Sequence, residues 1–130
     1  MECLAQNIFI SVPTLSQHAA SAAFDCTAEL DENVARYAAN RDLLLRELPR
    51  AGLTNLAPAD GAFYVYADVS HLTNDSENFC RRMLTEAGIA TAPGTDFDHY
   101  RGNETKRISF AGDTQTMAEA SARLKDWIEC

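Results

Sequence analysis

The chain has 130 residues, a mass of 14.3 kDa and a formal net charge of −8 at pH 7. This length suits one domain and allows a hydrophobic core without disulfides or metals. Eleven basic against nineteen acidic residues argue against nucleic-acid binding, because no basic surface is left to neutralise phosphates, and they also disfavour an anionic membrane surface. No apolar run approaches the roughly 20 residues needed to span a bilayer.

The amino terminus and the cysteines indicate a cytoplasmic protein. Glu2 places an acid where a signal peptide carries basic residues, so we expect no secretory leader. Scattered cysteines without a Cys-x-x-Cys pair are typical of reduced thiols. They are Cys3, Cys26, Cys80 and Cys130. The histidines also stand apart, without metal-binding spacing, so no metal site is expected.

The first part of the chain predicts two helices. Thr14 and Gln17 have capping-box spacing and indicate a short helix over 13–24. Apolar residues then recur near every 3.6 positions over 28–48, which predicts a longer helix. Pro49 should end this helix, because proline lacks the backbone N–H that a helix needs.

Two strands are predicted next, a weak one over 53–56 and a stronger one over 62–68. Turn residues at 58–61 separate them. Alternation in the second strand places Tyr64 and Tyr66 on one face. These tyrosines can line a pocket, but core packing on the second face of the sheet is the expectation that the pattern favours.

A capped helix and a short strand follow. Asn74 with Glu77 predicts the start of the helix, and Gly88 suits its left-handed stop. The strand is expected over 89–92, closed by the Pro-Gly pair at 93–94.

A last strand over 106–111 and a helix over 114–128 complete the chain. The order is helix, helix, strand, strand, helix, strand, strand, helix. This order predicts an α+β fold, a two-layer sandwich in which helices cover one face of a small, mostly antiparallel sheet.

Arg107 is the most informative single residue. The alternation of its strand turns it away from Ile108 and Phe110, on the same face as Ser109. A guanidinium on a rigid strand is well suited to hold a carboxylate by two parallel hydrogen bonds. The alternative is an exposed arginine paired with a surface acid, and spacing alone favours that alternative. Asp96 and the residues around it predict a solvated turn.

Several segments together resemble a known family. The segments are Ser16–Ala20, Asn40–Leu45, Gly61–Tyr66, Glu86–Phe97 and Lys106–Ala111. Their succession resembles the C-terminal part of the class I/II aminotransferases, the fold-type I enzymes that use pyridoxal phosphate. The resemblance covers residues 8 to 127. Each segment is weak evidence alone, but their order and distances match the family.

The resemblance implies a fold and a function. The fold is the small domain of such an enzyme, and the parent enzyme moves an amino group between an amino acid and a 2-oxo acid. Arg107 then binds the α-carboxylate of the substrate. Pro93, Gly94, Phe97 and Ser109 become candidates for the domain junction and cleft.

The resemblance also implies what this chain lacks. Neither of its two lysines stands in the family's Schiff-base setting: Lys106 should point to the opposite sheet face from Arg107, and Lys125 lies in the last helix. We therefore expect no catalytic residue, no covalently bound cofactor and no activity in the isolated chain. Residues 1–25 correspond to a remnant of the large domain and 26–130 to the small domain.

The absent large domain should leave an apolar surface uncovered. Its expected residues are Ile8, Phe9, Ile10, Val12 and Leu15. Such a surface favours self-association, so we expect either a homo-oligomer, a dimer, or a mobile amino terminus. A different class of function stays open as an alternative: a stand-alone, non-catalytic module that binds a small carboxylate or a protein partner.

Overall fold

The computed structural model describes residues 2–4, 7–8 and 10–130. The chain divides into two compact units, Met1–Val34 and Ala35–Cys130. The helices and strands are α1 (Glu2–Leu4), α2 (Thr14–Ala23), α3 (Thr27–Arg50), β1 (Asn55–Leu56), β2 (Tyr64–Asp68), α4 (Ser76–Ala87), β3 (Ala92–Pro93), β4 (Thr105–Ser109) and α5 (Thr114–Glu129). The predicted α+β class is confirmed.

The second unit contains a four-stranded sheet in the order β1-β2-β4-β3. Every neighbouring pair is antiparallel. In this register Tyr66 of β2 and Ala92 of β3 stand opposite Arg107 of β4, one on each side. Arg107 therefore lies on an inner strand whose backbone is held from both sides, a rigid base for a side chain.

One face of the sheet is buried under helices of the second unit. The core contains Leu44 and Leu48 of α3, Met83 of α4, Leu124 of α5, and Val65, Ala67 and Ile108 of the sheet. Buried Asn40 of α3 donates hydrogen bonds from Nδ2 to the backbone carbonyls of Phe110 and Gly112, at 3.0 and 2.9 Å. These bonds tie the longest helix to the chain just beyond β4.

The end of α3 differs from the prediction. Pro49 lies inside the last turn, and the helix runs on to Arg50. Gly52 then adopts a φ of 92°, and the Leu53 N–H donates to the Leu48 carbonyl at 2.9 Å. The prediction that Pro49 ends the helix is wrong: the helix accepts the loss of the single N–H of Pro49, continues to Arg50, and the left-handed Gly52 then reverses the chain.

The start of α4 is also one residue from its predicted place. Asp75, not Asn74, is the N-cap, and its carboxylate accepts the N–H of Asn78 at 3.0 Å. Asn74 and Asp75 are adjacent, both have short side chains that can accept an N-cap hydrogen bond, and the sequence alone does not show which of them is the cap. The predicted left-handed stop at Gly88 is confirmed, with a φ of 66°.

The predicted capping box of α2 is not formed. Pro13 takes the N-cap position, so Thr14 already has helical backbone and makes no side-chain cap. The Gln17 side chain instead donates to the carbonyl of Val12 at 2.7 Å. A capping box needs its hydroxyl residue at the N-cap itself.

The strand ends were also predicted imprecisely. β3 pairs at Ala92–Pro93 rather than over 89–92, so Pro93 belongs to the strand instead of closing it. This is tolerated because β3 is an edge strand and proline loses no ladder bond there. β2 begins at Tyr64 because Ala62 has a φ of 54°, outside the extended region. β1 is limited to two residues of the predicted 53–56.

The first unit exposes the apolar residues that the sequence singled out. Ile8, Ile10, Val12 and Leu15 are all exposed, and Phe24 joins them. Phe9, the fifth member of the predicted set, lies outside the described residues. None of the described helices is long and apolar enough to cross a membrane.

Candidate functional site

The face of the sheet opposite the core carries Tyr64 and Tyr66 of β2 and Arg107 of β4. Tyr64 and Tyr66 alternate with buried Val65, and Arg107 alternates with buried Ile108. The tyrosines and the arginine are half-buried. The helices pack on the opposite face of the sheet, which forms the core. The residues that the sequence placed on this face therefore form an open surface.

A groove of about 440 Å³ crosses this face. It is lined by Tyr64, Ala90, Thr91, Ala92, Pro93, Asp96, Arg107 and Ser109. Three of the predicted site residues, Arg107, Pro93 and Ser109, thus come together in one groove. Asp96, expected in a solvated turn, is exposed and also lines it.

Arg107 differs from its neighbour Arg101 in having no acid partner. Arg101 pairs with Asp68 at 3.0 Å. No ion pair or hydrogen bond joins the Arg107 side chain to another residue in the part of the chain that the structure describes. The surface ion pair that spacing alone favoured for Arg107 is therefore not formed. Its N–H donors remain available to an anion in the groove.

Two aromatic rings contact the Arg107 guanidinium. Its central carbon, Cζ, lies 4.0 Å from the ring centroid of Tyr64 and 4.0 Å from that of Phe97. Both distances are well within cation–π range. Tyr64 thus contacts the arginine instead of packing in a core, contrary to the favoured expectation. The register could have indicated this contact, because Tyr64 is paired with Ser109 and so lies diagonally across from Arg107.

Phe97 reaches the arginine from a tightly packed loop. Gly94 and Gly102 begin two 3-10 turns that face each other. A Cβ on Gly94 would stand 2.7 Å from the carbonyl oxygens of Gly102 and Thr105, so only glycine fits. Gly94, a predicted junction residue, is therefore buried inside this loop. Its role is to let the loop close and carry Phe97 to the groove.

The same loop is held by the Asp98 carboxylate. Its Oδ1 accepts the backbone N–H groups of Tyr100 and Arg101, at 2.8 and 3.1 Å. These two bonds hold the pKa of Asp98 below its usual value, and the bond from Arg101 has the larger effect. The loop therefore keeps its shape at neutral pH, where this carboxylate is charged.

Lys106 lies on the buried face of β4. Its side chain is fully buried, with Nζ 3.1 Å from the Met83 sulfur and 5.3 Å from the Phe79 ring centroid. Burial lowers its pKa to about 8, which interaction with Cys80 partly opposes. Lys106 thus points away from Arg107 and the groove, as predicted.

The remaining features of the site region offer little chemistry. Lys125 lies on α5 and pairs with Glu129 at 3.8 Å. The lining of a largely apolar cavity of about 170 Å³ under the sheet includes core residues such as Leu44 and Leu124 and also Lys106. No cluster of metal-binding side chains occurs among the described residues. The groove around Arg107 is therefore the candidate site.

Comparison with known proteins agrees with this geometry. The family model described as aminotransferase class I and II matches residues 3–124. A valine–pyruvate aminotransferase of Mycobacterium tuberculosis is 52% identical over 98% of this chain and 34% of its own length. A (5-formylfuran-3-yl)methyl phosphate transaminase of Methanocaldococcus jannaschii is 32% identical over 96% of this chain and 33% of its own length.

A solved structure extends the match to the fold. The crystal structure of an aminotransferase from Mycobacterium tuberculosis superposes with a TM-score of 0.89 at 53% identity, over 98% of this chain and 33% of that one. The fold of this chain is therefore that of a part of an aminotransferase. The chain belongs to the family of class I and II aminotransferases. It spans about a third of the length of the curated relatives it matches.

The family implies pyridoxal phosphate in the parent enzyme, and the residues of this chain do not fit a covalent site for it. Such a site needs a lysine amine that reaches the cofactor. Lys106 is buried on the face of the sheet opposite the groove, and Lys125 forms an exposed ion pair with Glu129 on α5. Neither lysine lines the groove.

Proposed function

We propose that this chain is the small domain of a pyridoxal-phosphate-dependent aminotransferase, and that Arg107 binds the α-carboxylate of its amino acid or 2-oxo acid substrate. The observation that carries the proposal is Arg107 itself. It stands in an open groove on an inner strand and has no counter-ion among the described residues. A half-buried cation without an internal partner is well placed to accept an external anion.

The geometry supports an orienting role for Arg107. Two parallel hydrogen bonds from a guanidinium fix both the position and the plane of a carboxylate. Since the strand holds the arginine backbone from both sides, the bound α-carbon takes a defined place relative to the rest of the parent enzyme. The chain thus contributes binding and orientation, and no proton transfer or covalent step.

We further propose that the cofactor is held by a part of the parent enzyme that this chain does not include. The position of both lysines and the threefold greater length of the relatives support this view. Residues 1–25 then belong to the large-domain segment and 26–130 to the small domain. The exposed apolar residues of the first unit would contact the large domain, or a second copy of the chain in a homo-oligomer. The scattered cysteines support a cytoplasmic location.

The same groove supports a second candidate function. A stand-alone module that binds a small carboxylate would also need an unpaired arginine and would need no lysine. The two candidates share the binding step and differ in catalysis, which the parent enzyme alone would perform.

The binding step can be tested with the chain itself. Titration with pyruvate, followed by NMR, should shift resonances of Arg107 and of groove residues such as Ser109. Arg107→Gln should abolish these shifts. Arg81→Gln is the matched control, since Arg81 forms an exposed ion pair with Glu77 at 3.1 Å on α4 and does not line the groove. Equal shifts in wild type and Arg107→Gln would contradict the proposal.

The cofactor step has its own test. Pyridoxal phosphate is added in equimolar amount, the absorbance spectrum is recorded, and borohydride reduction is followed by mass spectrometry. We expect no stoichiometric adduct, because the Lys106 side chain is fully buried and Lys125 is exposed on α5, where it pairs with Glu129. A single specific adduct on either lysine would show that this chain carries Schiff-base chemistry of its own.

A further inference from the structure

The guanidinium of Arg107 contacts two aromatic side chains from separate elements. Tyr64 comes from β2 and Phe97 from the loop after β3, and each ring centroid lies 4.0 Å from Cζ. Tyr64 also contacts Phe63, with ring centroids 4.4 Å apart. The two contacts to the arginine therefore come from a strand and from a packed loop.

This arrangement orders the arginine without using its hydrogen-bond donors. A ring attracts the cation through its π face and accepts none of the in-plane N–H bonds strongly. An acid partner would order the side chain too, but it would occupy the donors that a ligand needs. Two aromatic contacts thus combine a fixed guanidinium with free donors, a combination suited to a planar, two-oxygen ligand.

Phe97 is itself firmly placed. Its backbone N–H donates to the Gly94 carbonyl at 2.9 Å, and the N–H of Asp98 donates to the same oxygen at 2.9 Å. The close packing of Gly94 against Gly102 holds the two ends of this loop together. The Phe97 side chain is nevertheless 49% exposed, so packing against the core does not explain a large apolar ring at this position.

We propose that Tyr64 and Phe97 are positioning residues that hold the Arg107 guanidinium for carboxylate binding. This inference rests on the proposed function, in which Arg107 is the carboxylate-binding residue. The rings pre-order the arginine in the free protein, so less conformational entropy is lost when a carboxylate binds. The two rings also displace water from the part of the guanidinium that they contact, which strengthens the bonds made at its free edge.

The experiment follows the Arg107 side chain by NMR in the 130-residue chain labelled with ¹⁵N. The Nε–H resonance is assigned by its loss in Arg107→Lys, and pyruvate is the probe ligand. Because the guanidinium lies near two rings, this resonance should carry a ring-current shift in wild type. Phe97→Leu should move it toward the free-arginine position and weaken pyruvate binding about two- to fivefold. Tyr64→Leu should act in the same direction.

Two further variants separate positioning from general folding. Phe97→Tyr keeps an aromatic face and should restore both the resonance and the affinity. Tyr100→Leu is the matched control: Tyr100 lies in the same loop, is 98% exposed and makes no cation–π contact, so both readouts should stay at wild-type values. A structural role alone would not predict rescue by tyrosine in the Arg107 signal.

The outcomes distinguish this inference from the proposed function. If Phe97→Leu and Tyr64→Leu leave the Arg107 resonance and the pyruvate affinity unchanged, the positioning role is overturned and carboxylate binding by Arg107 stands. If pyruvate shifts no Arg107 resonance in the wild-type chain, both the proposed function and the positioning role are overturned.

Discussion

Replacing the buried Lys106 by methionine should stabilise the protein at neutral pH. The lysine side chain is fully buried, next to the Met83 sulfur and the Phe79 ring, and no acid pairs with it among the described residues. Its ammonium group has lost water without gaining a counter-ion. Methionine has a similar shape and no charge, so Lys106→Met removes this cost and keeps the core filled.

The pKa of Lys106 gives the size of the effect. Burial lowers this pKa from its usual 10.5 to about 8 in the folded protein. A difference of that size corresponds to about 3 kcal/mol between the charged and neutral forms. Lys106→Met should therefore raise the free energy of unfolding at pH 7 by up to about 3 kcal/mol, and Tm by about 10 °C.

The sign of the pH dependence follows from the same two pKa values. Below about pH 8 the lysine is charged in both states, and the folded protein bears the whole burial cost. Between pH 8 and 10.5 the unfolded chain binds a proton that the folded protein does not, so stability rises with pH. The cost is absent above pH 10.5. Lys106→Met should lack this rise.

Urea unfolding measured by the fluorescence of Trp127 tests this prediction. Trp127 is the single tryptophan of the chain, and it lies against Phe79 with ring centroids 5.2 Å apart, so it reports on the unit that contains Lys106. Lys125→Met, in the exposed helix pair, is the matched control and should change stability little. A Lys106→Met protein that is less stable at pH 7, or that keeps the wild-type pH slope, would contradict a burial cost at Lys106.

Three further substitutions test the packing around the site. Gly94→Ala places a methyl group against the Thr105 side chain, and thermal unfolding should show a loss of about 1–3 kcal/mol together with a changed environment of the Arg107 resonance. Asn40→Ala leaves two backbone carbonyls without their donors and should cost about 1–3 kcal/mol in urea unfolding, whereas an unchanged midpoint would show that water replaces these bonds. Asp75→Ala removes the N-cap of α4 and should cost about 1 kcal/mol by the same method; an equal loss in Asn74→Ala would contradict the assignment of Asp75 as the cap.

The sequence predicts two kinds of feature: those that follow from a regular alternation of side chains, and those that need one backbone conformation that few residues adopt. A period of two placed Arg107 and Ile108 on opposite faces, and the structure has them there. Gly88 was predicted as a left-handed helix stop because few other residues adopt that conformation at low cost. The α+β class followed from the order of such elements.

Other features depend on contacts that no local pattern contains. The choice between Asn74 and Asp75 as a cap, and the helical geometry at Pro49, are decided by small energy differences. The contact of Phe97 with Arg107 joins residues ten apart through a loop whose path depends on two glycines packed together. Burial of Lys106 also contradicts the usual preference of lysine for water, so only the tertiary structure reveals it.

Carboxylate binding by Arg107 is tested most directly in a chimera with the valine–pyruvate aminotransferase of Mycobacterium tuberculosis, which is 52% identical to this chain. The matching third of that enzyme is replaced by this chain, and transamination is measured with and without Arg107→Lys. We expect an active chimera whose kcat/KM falls at least about tenfold with Arg107→Lys, since lysine cannot form two parallel hydrogen bonds to the substrate carboxylate. An active chimera that is indifferent to Arg107→Lys would contradict the claim that Arg107 binds the substrate carboxylate.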